Sequence, residues 1–273
     1  MAVLYNQVLR PPNFSELFNT WTRYPDAVPF AGGTFLILSQ GRELPRLPAN
    51  ILSLEKIDDL NRITRTERYL EIGAMVRLSG IIALGKIVPD ALSATLKGIA
   101  GPQVRNLATI GGNLCTAGDA AAPMTALDAR YELRGPGGSR WISAIRFSSL
   151  SDTLGARELL TRIRIPLDQW DYTVYRKFDS PDSGDEGGVL IILVKNQKDI
   201  LTKLQIVYTG ETLLRDKNSE TFLEGKSLPL DRKDILHYGE LWETYLAGLG
   251  KPGPLLRSQI VNGIRAGILG LAD

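Results

Sequence analysis

Two short segments, far apart in the chain, carry the same design: AGGTFLI at residues 31–37 and ATIGGNLCT at residues 108–116. In each, an apolar approach reaches a Gly-Gly pair, and hydroxyl or amide side chains follow. Such a backbone can turn through φ > 0. Without Cβ atoms it also lets N–H groups come close to an anion while neighbouring side chains add donors. Taken singly, each pair is equally a tight turn. Taken together, about 75 residues apart, they point to one diphosphate held between two loops, which obliges the fold to bring distant stretches of chain together.

Competing nucleotide motifs fail. No GxGxxG opens a helix, so the common dinucleotide-binding fold has no support. Gly225-Lys226-Ser227 imitates the end of a P-loop, but Glu220 stands where the leading glycine belongs, and the segment reads as a turn. The 273 residues, 44% hydrophobic and 23% charged, have ordinary globular composition and suffice for one large domain or two of roughly 100–200 residues. A net charge of +2 without long runs of one sign names no nucleic-acid partner. The longest strongly apolar run, residues 189–194, falls well short of the roughly 20 residues that span a bilayer and reads as a buried strand. The opening MAVLYNQVLRPPNF lacks the basic patch and apolar stretch of a secretory signal, so the expectation is a cytoplasmic chain without membrane insertion.

The single cysteine, Cys115, and single histidine, His237, argue against an internal disulfide, an iron–sulfur cluster, a His/Cys metal centre and a histidine-based triad. Cys115 reads as a small buried apolar side chain, with redox chemistry as the alternative. His237 reads as a satisfied surface or core residue.

Along the chain, periodicity predicts a helix near residues 15–22 capped by Asn13 or Ser15, and a strand over 27–31. FLIL at 35–38 fits either a helix or a strand. A strand is expected over 69–74 and a helix over 90–98, followed by strands over 141–147 and 160–165, the last with Ile163 and Ile165 alternating with arginines. DSPDSGDEGG at 179–188 reads as a surface linker or loop. Strands at 189–194 and 204–209 and a final helix striped by Leu256, Ile260, Ile264 and Ile268 form a smaller C-terminal α+β unit.

AGGTFLI, QVRNLATIGGNLCTAGDAAAPMTALDA and RELLTRIRIP followed by YRKF together resemble the FAD-binding medium subunit of molybdenum hydroxylases, the family of xanthine dehydrogenase and carbon monoxide dehydrogenase flavoprotein subunits. The similarity runs over essentially the whole chain, to the closing RSQIVNGIRAGIL. It implies an α+β architecture: a two-subdomain FAD-binding fold of the PCMH/vanillyl-alcohol-oxidase type over residues 1–168, divided near residue 55, then a small C-terminal α+β domain over 169–273. By the resemblance, Pro29, Phe30, Ala31, Gly32, Gly33, Thr34, Phe35 and Leu36 form the first FAD pyrophosphate loop. Thr109, Ile110, Gly111, Gly112, Asn113 and Thr116 match the second. Asp119 matches an acid that hydrogen-bonds the cofactor, Leu160 and Lys177 match positions against the flavin or its diphosphate, and Ile99 lies near a flavin-side apolar position.

The sequence departs from the family pattern at Phe35, where members usually have an acid, in the shortened AGD stretch before Asp119, and after YRKF, where the usual arginine gives way to the acidic loop. Like-charge repulsion from that loop would disfavour approach of NAD. The implied function is an FAD-binding electron-transfer subunit. It would receive electrons from an iron–sulfur subunit in complex with a molybdenum-cofactor subunit and pass them to an external acceptor. The alternatives are a degenerate scaffold subunit without FAD and a stand-alone flavoprotein oxidoreductase.

Overall fold

The computed structural model describes residues 7–41, 46–147, 153–179 and 187–271. Residues 180–186 of the expected acidic loop, and with them the argument about NAD, lie outside the described residues. The first half of the chain runs β1 (Gln7–Leu9), α1 (Phe14–Arg23), β2 (Val28–Phe30), α2 (Thr34–Leu38), β3 (Asn50–Ser53), β4 (Ile63–Arg65), β5 (Tyr69–Gly73), α3 (Leu78–Ile82), α4 (Asp90–Gly98), α5 (Pro102–Arg105), α6 (Ile110–Cys115) and α7 (Ala121–Ala126). The rest runs β6 (Arg130–Gly135), β7 (Gly138–Ser143), β8 (Leu159–Pro166), β9 (Tyr172–Phe178), β10 (Gly188–Gln197), β11 (Ile200–Thr209), β12 (Leu213–Leu214), α8 (Lys217–Leu223), α9 (Arg232–Gly248) and α10 (Pro254–Leu269). Two compact units share this chain, the first from Met1–Val88, Ile99–Gly118 and Asp128–Leu167, the second from Pro89–Gly98, Asp119–Leu127 and Asp168–Asp273.

The first unit contains a small parallel sheet in the order β1-β3-β2 and a five-stranded antiparallel sheet in the order β4-β5-β8-β6-β7. Asn13 caps α1 by accepting the Glu16 N–H at 2.9 Å, and Leu17 and Trp21, one turn apart, are the helix's buried residues. FLIL resolves as helix. On the large sheet Leu70, Ile72, Tyr131, Leu133, Ile163 and Ile165 are buried. The alternate residues are held in ion pairs: the Arg164 Nε donates to Glu71 Oε1 at 2.6 Å, with its guanidinium 4.3 Å from the centre of the Trp141 ring. The strand expected over 141–147 ends at Ser143. Ala144 donates instead to the carbonyl of Ala129 at 2.8 Å, a 3₁₀ turn follows, and Phe147 packs edge-on against Tyr131 with centroids 5.3 Å apart.

The second unit is built on an antiparallel sheet in the order β12-β11-β10-β9. Leu190, Ile192 and Val194 of β10 join Tyr238 and Trp242 of α9 and Leu256, Ile260 and Ile264 of α10 in one core. The intervening Val189, Ile191 and Leu193 are also fully buried and, on the opposite face, α4 and α7 lie against this strand. Coverage on both faces is why the strand reads as an unbroken apolar run rather than an alternation. Within this unit Arg215 and Glu220 form a buried ion pair at 2.9 Å. Arg215 also donates to the carbonyl of Thr125 in α7 at 3.0 Å, and Glu220 accepts from the Ile206 N–H at 3.0 Å. No helix among the described residues is long and apolar enough to cross a membrane.

Breaking this pair from one side should cost far more than replacing both partners. Urea unfolding of Glu220→Leu is expected to show a loss of about 3–5 kcal/mol, and the double variant Arg215→Met/Glu220→Leu should recover most of it. Equal losses in the two proteins would mean that the buried charges are not what holds this corner.

Candidate functional site

β2 hands the chain to the first Gly-Gly pair, and α2 starts directly after it. Gly33 sits at φ 69° and ψ −2° in the left-handed region, where a Cβ would also stand 2.5 Å from the Phe30 ring. Gly32 lies so close to the carbonyl of Leu107 that a Cβ there would overlap its oxygen, an approach that only glycine permits. This contact joins the first loop to the approach of the second. The leading N–H groups of α2 have no intrahelical acceptor, and the N-cap Gly33 supplies no side chain to cap them. Phe35 is 56% exposed, and the departure from the family pattern therefore faces outward.

The second loop uses its own backbone donors. Ile110 N–H donates to the Val76 carbonyl at 3.0 Å and Gly111 N–H to the Ala74 carbonyl at 2.8 Å. Thr109, the N-cap of α6, accepts the Gly112 N–H at 3.1 Å, and Asn113 N–H returns to the Thr109 carbonyl at 3.0 Å. Thr116 closes the helix by donating to the carbonyl of Gly112 at 3.0 Å. With its donors satisfied, this loop is rigid, and the absence of a Cβ at Gly111 lets it pack directly on Ala74. The approach is braced as well: Arg77 donates to the Asn106 carbonyl at 2.9 Å and Arg105 to that of Ile99 at 2.9 Å.

Beside these loops, within the first unit, lies a cavity of about 570 Å³. Pro29 and Ala31 line it from the first loop, Gly111, Gly112 and Cys115 from the second, and Leu160 from β8. The remaining predicted residues of this unit, namely Phe30, Gly32, Gly33, Thr34, Phe35, Leu36, Ile99, Thr109, Ile110, Asn113 and Thr116, do not line it. Sequence reasoning missed Trp21, Val28, Leu54, Ala74 and Met75, and the stretch contributing Leu154, Gly155, Arg157, Glu158 and Leu159.

Two charged residues stand in this wall. Arg140 grips Glu158 through both carboxylate oxygens, at 2.9 and 2.7 Å, and the Gly155 N–H adds a third bond at 2.8 Å. The Arg140 hydrogen bonds outweigh burial and, with the Gly155 N–H, hold the Glu158 carboxyl below the usual range. Arg157 is one of the non-glycine residues at positive φ, 61°, a conformation that costs roughly 1–2 kcal/mol. Its Nη1 donates to Thr22 Oγ1 at 3.2 Å. Burial pushes the Cys115 thiol up to about 12, so at neutral pH it is an apolar wall residue and not a nucleophile.

Asp119 and Lys177 belong to the second unit, where they pair with each other at 2.8 Å. Lys177 also donates to the Gly98 carbonyl at 3.3 Å. Burial alone would lower the Lys177 pKa; the hydrogen bond and charge of Asp119 overcome it and raise the value. Among the described residues no group of three or more His, Cys, Asp and Glu is placed to hold a metal ion.

Residues 4–168 match the family model for the FAD binding domain in molybdopterin dehydrogenase. The xanthine dehydrogenase FAD-binding subunit of Escherichia coli O157:H7 is 32% identical over 139 residues, 49% of this chain and 47% of that protein. The glyceraldehyde dehydrogenase medium chain of Sulfolobus acidocaldarius is 34% identical over 219 residues, 76% of this chain and 77% of that one. A crystal structure of the Cu,Mo-CO dehydrogenase in its cyanide-inactivated form matches with a TM-score of 0.83 at 25% identity, over 98% of this chain and 97% of that chain. Against three curated relatives the match spans 18%, 47% and 57% of their own length.

The Arg140–Glu158 clamp predicts a pH dependence. A carboxyl whose pKa is depressed on folding stabilises the fold above its unfolded pKa, and the contribution is lost as pH falls through the folded value. The urea midpoint of the wild type should exceed that of Glu158→Gln at pH 7, and the gap should close below about pH 3–4, past the ordinary carboxylate range. A gap unchanged down to that pH would show that ionised Glu158 does not hold the wall.

Proposed function

The chain belongs to the family of FAD-binding domains of molybdopterin dehydrogenases, and from that premise we propose that it is the FAD-carrying subunit of a molybdenum hydroxylase. In this reading it takes electrons from an iron–sulfur subunit, in a complex that also holds a molybdenum-cofactor subunit, and delivers them to an external acceptor in the cytoplasm. The observation that carries the reading is the packing of Gly32 on Leu107 beside a cavity walled by Ala31, Gly111 and Gly112. Two distant loops meet there backbone to backbone, since a side chain at Gly32 or Gly111 would overlap Leu107 or Ala74, and this close meeting beside an open cavity fits the diphosphate of a dinucleotide. With one cysteine and one histidine, the chain lacks the donors of an iron–sulfur cluster, so the partners would carry the metal centres.

FAD, when bound, supplies a ring that accepts and returns electrons. The protein's part is to bind and orient it. The first loop, Pro29, Phe30, Ala31, Gly32, Gly33, Thr34, Phe35 and Leu36, would present the uncapped N–H groups at the start of α2 to the phosphates. The second, Thr109, Ile110, Gly111, Gly112, Asn113 and Thr116, would act as a preformed wall whose internal hydrogen bonds fix its shape before the ligand arrives. Leu160, with Trp21, Leu54 and Met75, suits the cavity to a flat ring. The resemblance sets Leu160 against the flavin or its diphosphate; we place the adenine ring in this cavity instead, because a flavin must stay accessible to its electron partners while adenine has no chemistry to perform. Asp119 would accept from a cofactor hydroxyl, Lys177 would serve the flavin or diphosphate, and Ile99 would lie near the flavin.

Purified protein given FAD should turn yellow and gain thermal stability in proportion to ligand occupancy. A valine at Gly112 would crowd Thr109 Oγ1, 2.9 Å from the position of its Cβ. Gly112→Val and Asn113→Ala should each weaken FAD retention by roughly tenfold, the equivalent of about 1.4 kcal/mol, as read by flavin fluorescence. A wild-type protein that stays colourless with no FAD-dependent thermal shift would overturn the reading in favour of a scaffold subunit without FAD.

A further inference from the structure

Among the described residues that line the cavity, Arg157 is the only basic one. Its neighbour Glu158 is already gripped by Arg140, and no carboxylate pairs with Arg157 among the described residues. One edge of its guanidinium is fixed by Thr22, which follows the cavity residue Trp21 on α1. The backbone beneath it is held at φ 61°, a conformation that glycine or asparagine adopts far more readily than arginine. An unfavourable residue therefore stands where it lines, beside the carboxylate of Glu158, a mostly apolar cavity of about 570 Å³. Guanidinium planes stack on aromatic faces, an interaction strengthened where water is excluded.

We infer that Arg157 is a specificity-determining residue that caps the adenine ring of the nucleotide in this cavity and so makes the protein select FAD over flavins lacking the adenylate. The inference rests on the FAD reading above. Thr22 is the positioning residue that keeps the guanidinium plane in the wall.

The test uses the full-length apoprotein, with FAD, ADP and FMN as probes in calorimetric titrations and thermal melts. Arg157→Gly and Arg157→Asn should fold with a Tm no lower than the wild type, since both residues tolerate the local backbone. They should weaken FAD and ADP by the same factor, about tenfold, and leave FMN unchanged. Arg157→Lys, which keeps the charge and loses the plane, should lose most of the affinity as well. The inference is overturned by unchanged FAD and ADP affinities in the glycine variant, by an effect confined to FMN, by failure of ADP to bind the wild type, or by full affinity in the lysine variant. A wild type that binds no FAD would instead sink the underlying reading. A lower apoprotein Tm in both the glycine and asparagine variants, with proportionate loss of all ligands, would mark Arg157 as structural and overturn the proposal too.

Discussion

The contact of Gly32 with the carbonyl of Leu107 is the constraint on which the site depends. It ties a loop leaving the small parallel sheet to a loop entering α6, two stretches that share no local hydrogen-bond ladder. A single methyl group at residue 32 would displace one of the two backbones. Because the second loop is already bonded to Ala74 and Val76, it has little freedom to yield, and the burden of fitting falls on residues 31–33. The two glycine pairs are thus unequal: one is an anvil, the other is shaped against it.

The far wall of the cavity follows the same logic of satisfied polar groups. Glu158 would be an expensive charge to place beside Leu159 and Leu160, both buried, were it not for the bidentate grip of Arg140 and the Gly155 N–H. What remains is a chamber of mostly apolar surface with its rigid glycine side opposite in chemistry to its aliphatic side. Such a chamber discriminates by shape on one wall and by ring contact on the other, while its lone thiol is kept inert by burial.

Much of the fold was legible because the physics was local. The cap at Asn13, the pairing of apolar residues with arginines in β8, and the stripe of Leu256, Ile260, Ile264 and Ile268 each follow from period and propensity. The helix α9 left a fainter signal: Gly239 interrupts it, since the Arg265 side chain packs where its Cβ would be, and that need is created by another helix rather than by its own sequence. At the site, Gly-Gly pairs announce themselves because few other residues tolerate a close backbone approach. Trp21 reads simply as the buried face of an amphipathic helix, and Arg157 as one more surface arginine, because the wall they complete exists only after β8 has taken its register against β5 and β6. Phe35, conspicuous in the sequence, turns outward and leaves the inner backbone of the loop unobstructed.

The chain changes unit repeatedly, with α4 and α7 packed against β9, β10 and β11 although they precede those strands by many dozens of residues. Leu92, Leu96 and Met124 of these two helices are all fully buried, and the strands that the helices pack against are made only later in the chain. A ribosome therefore releases the glycine loops long before their flanking helices can dock, and no single cut in the sequence would liberate either unit with its core intact.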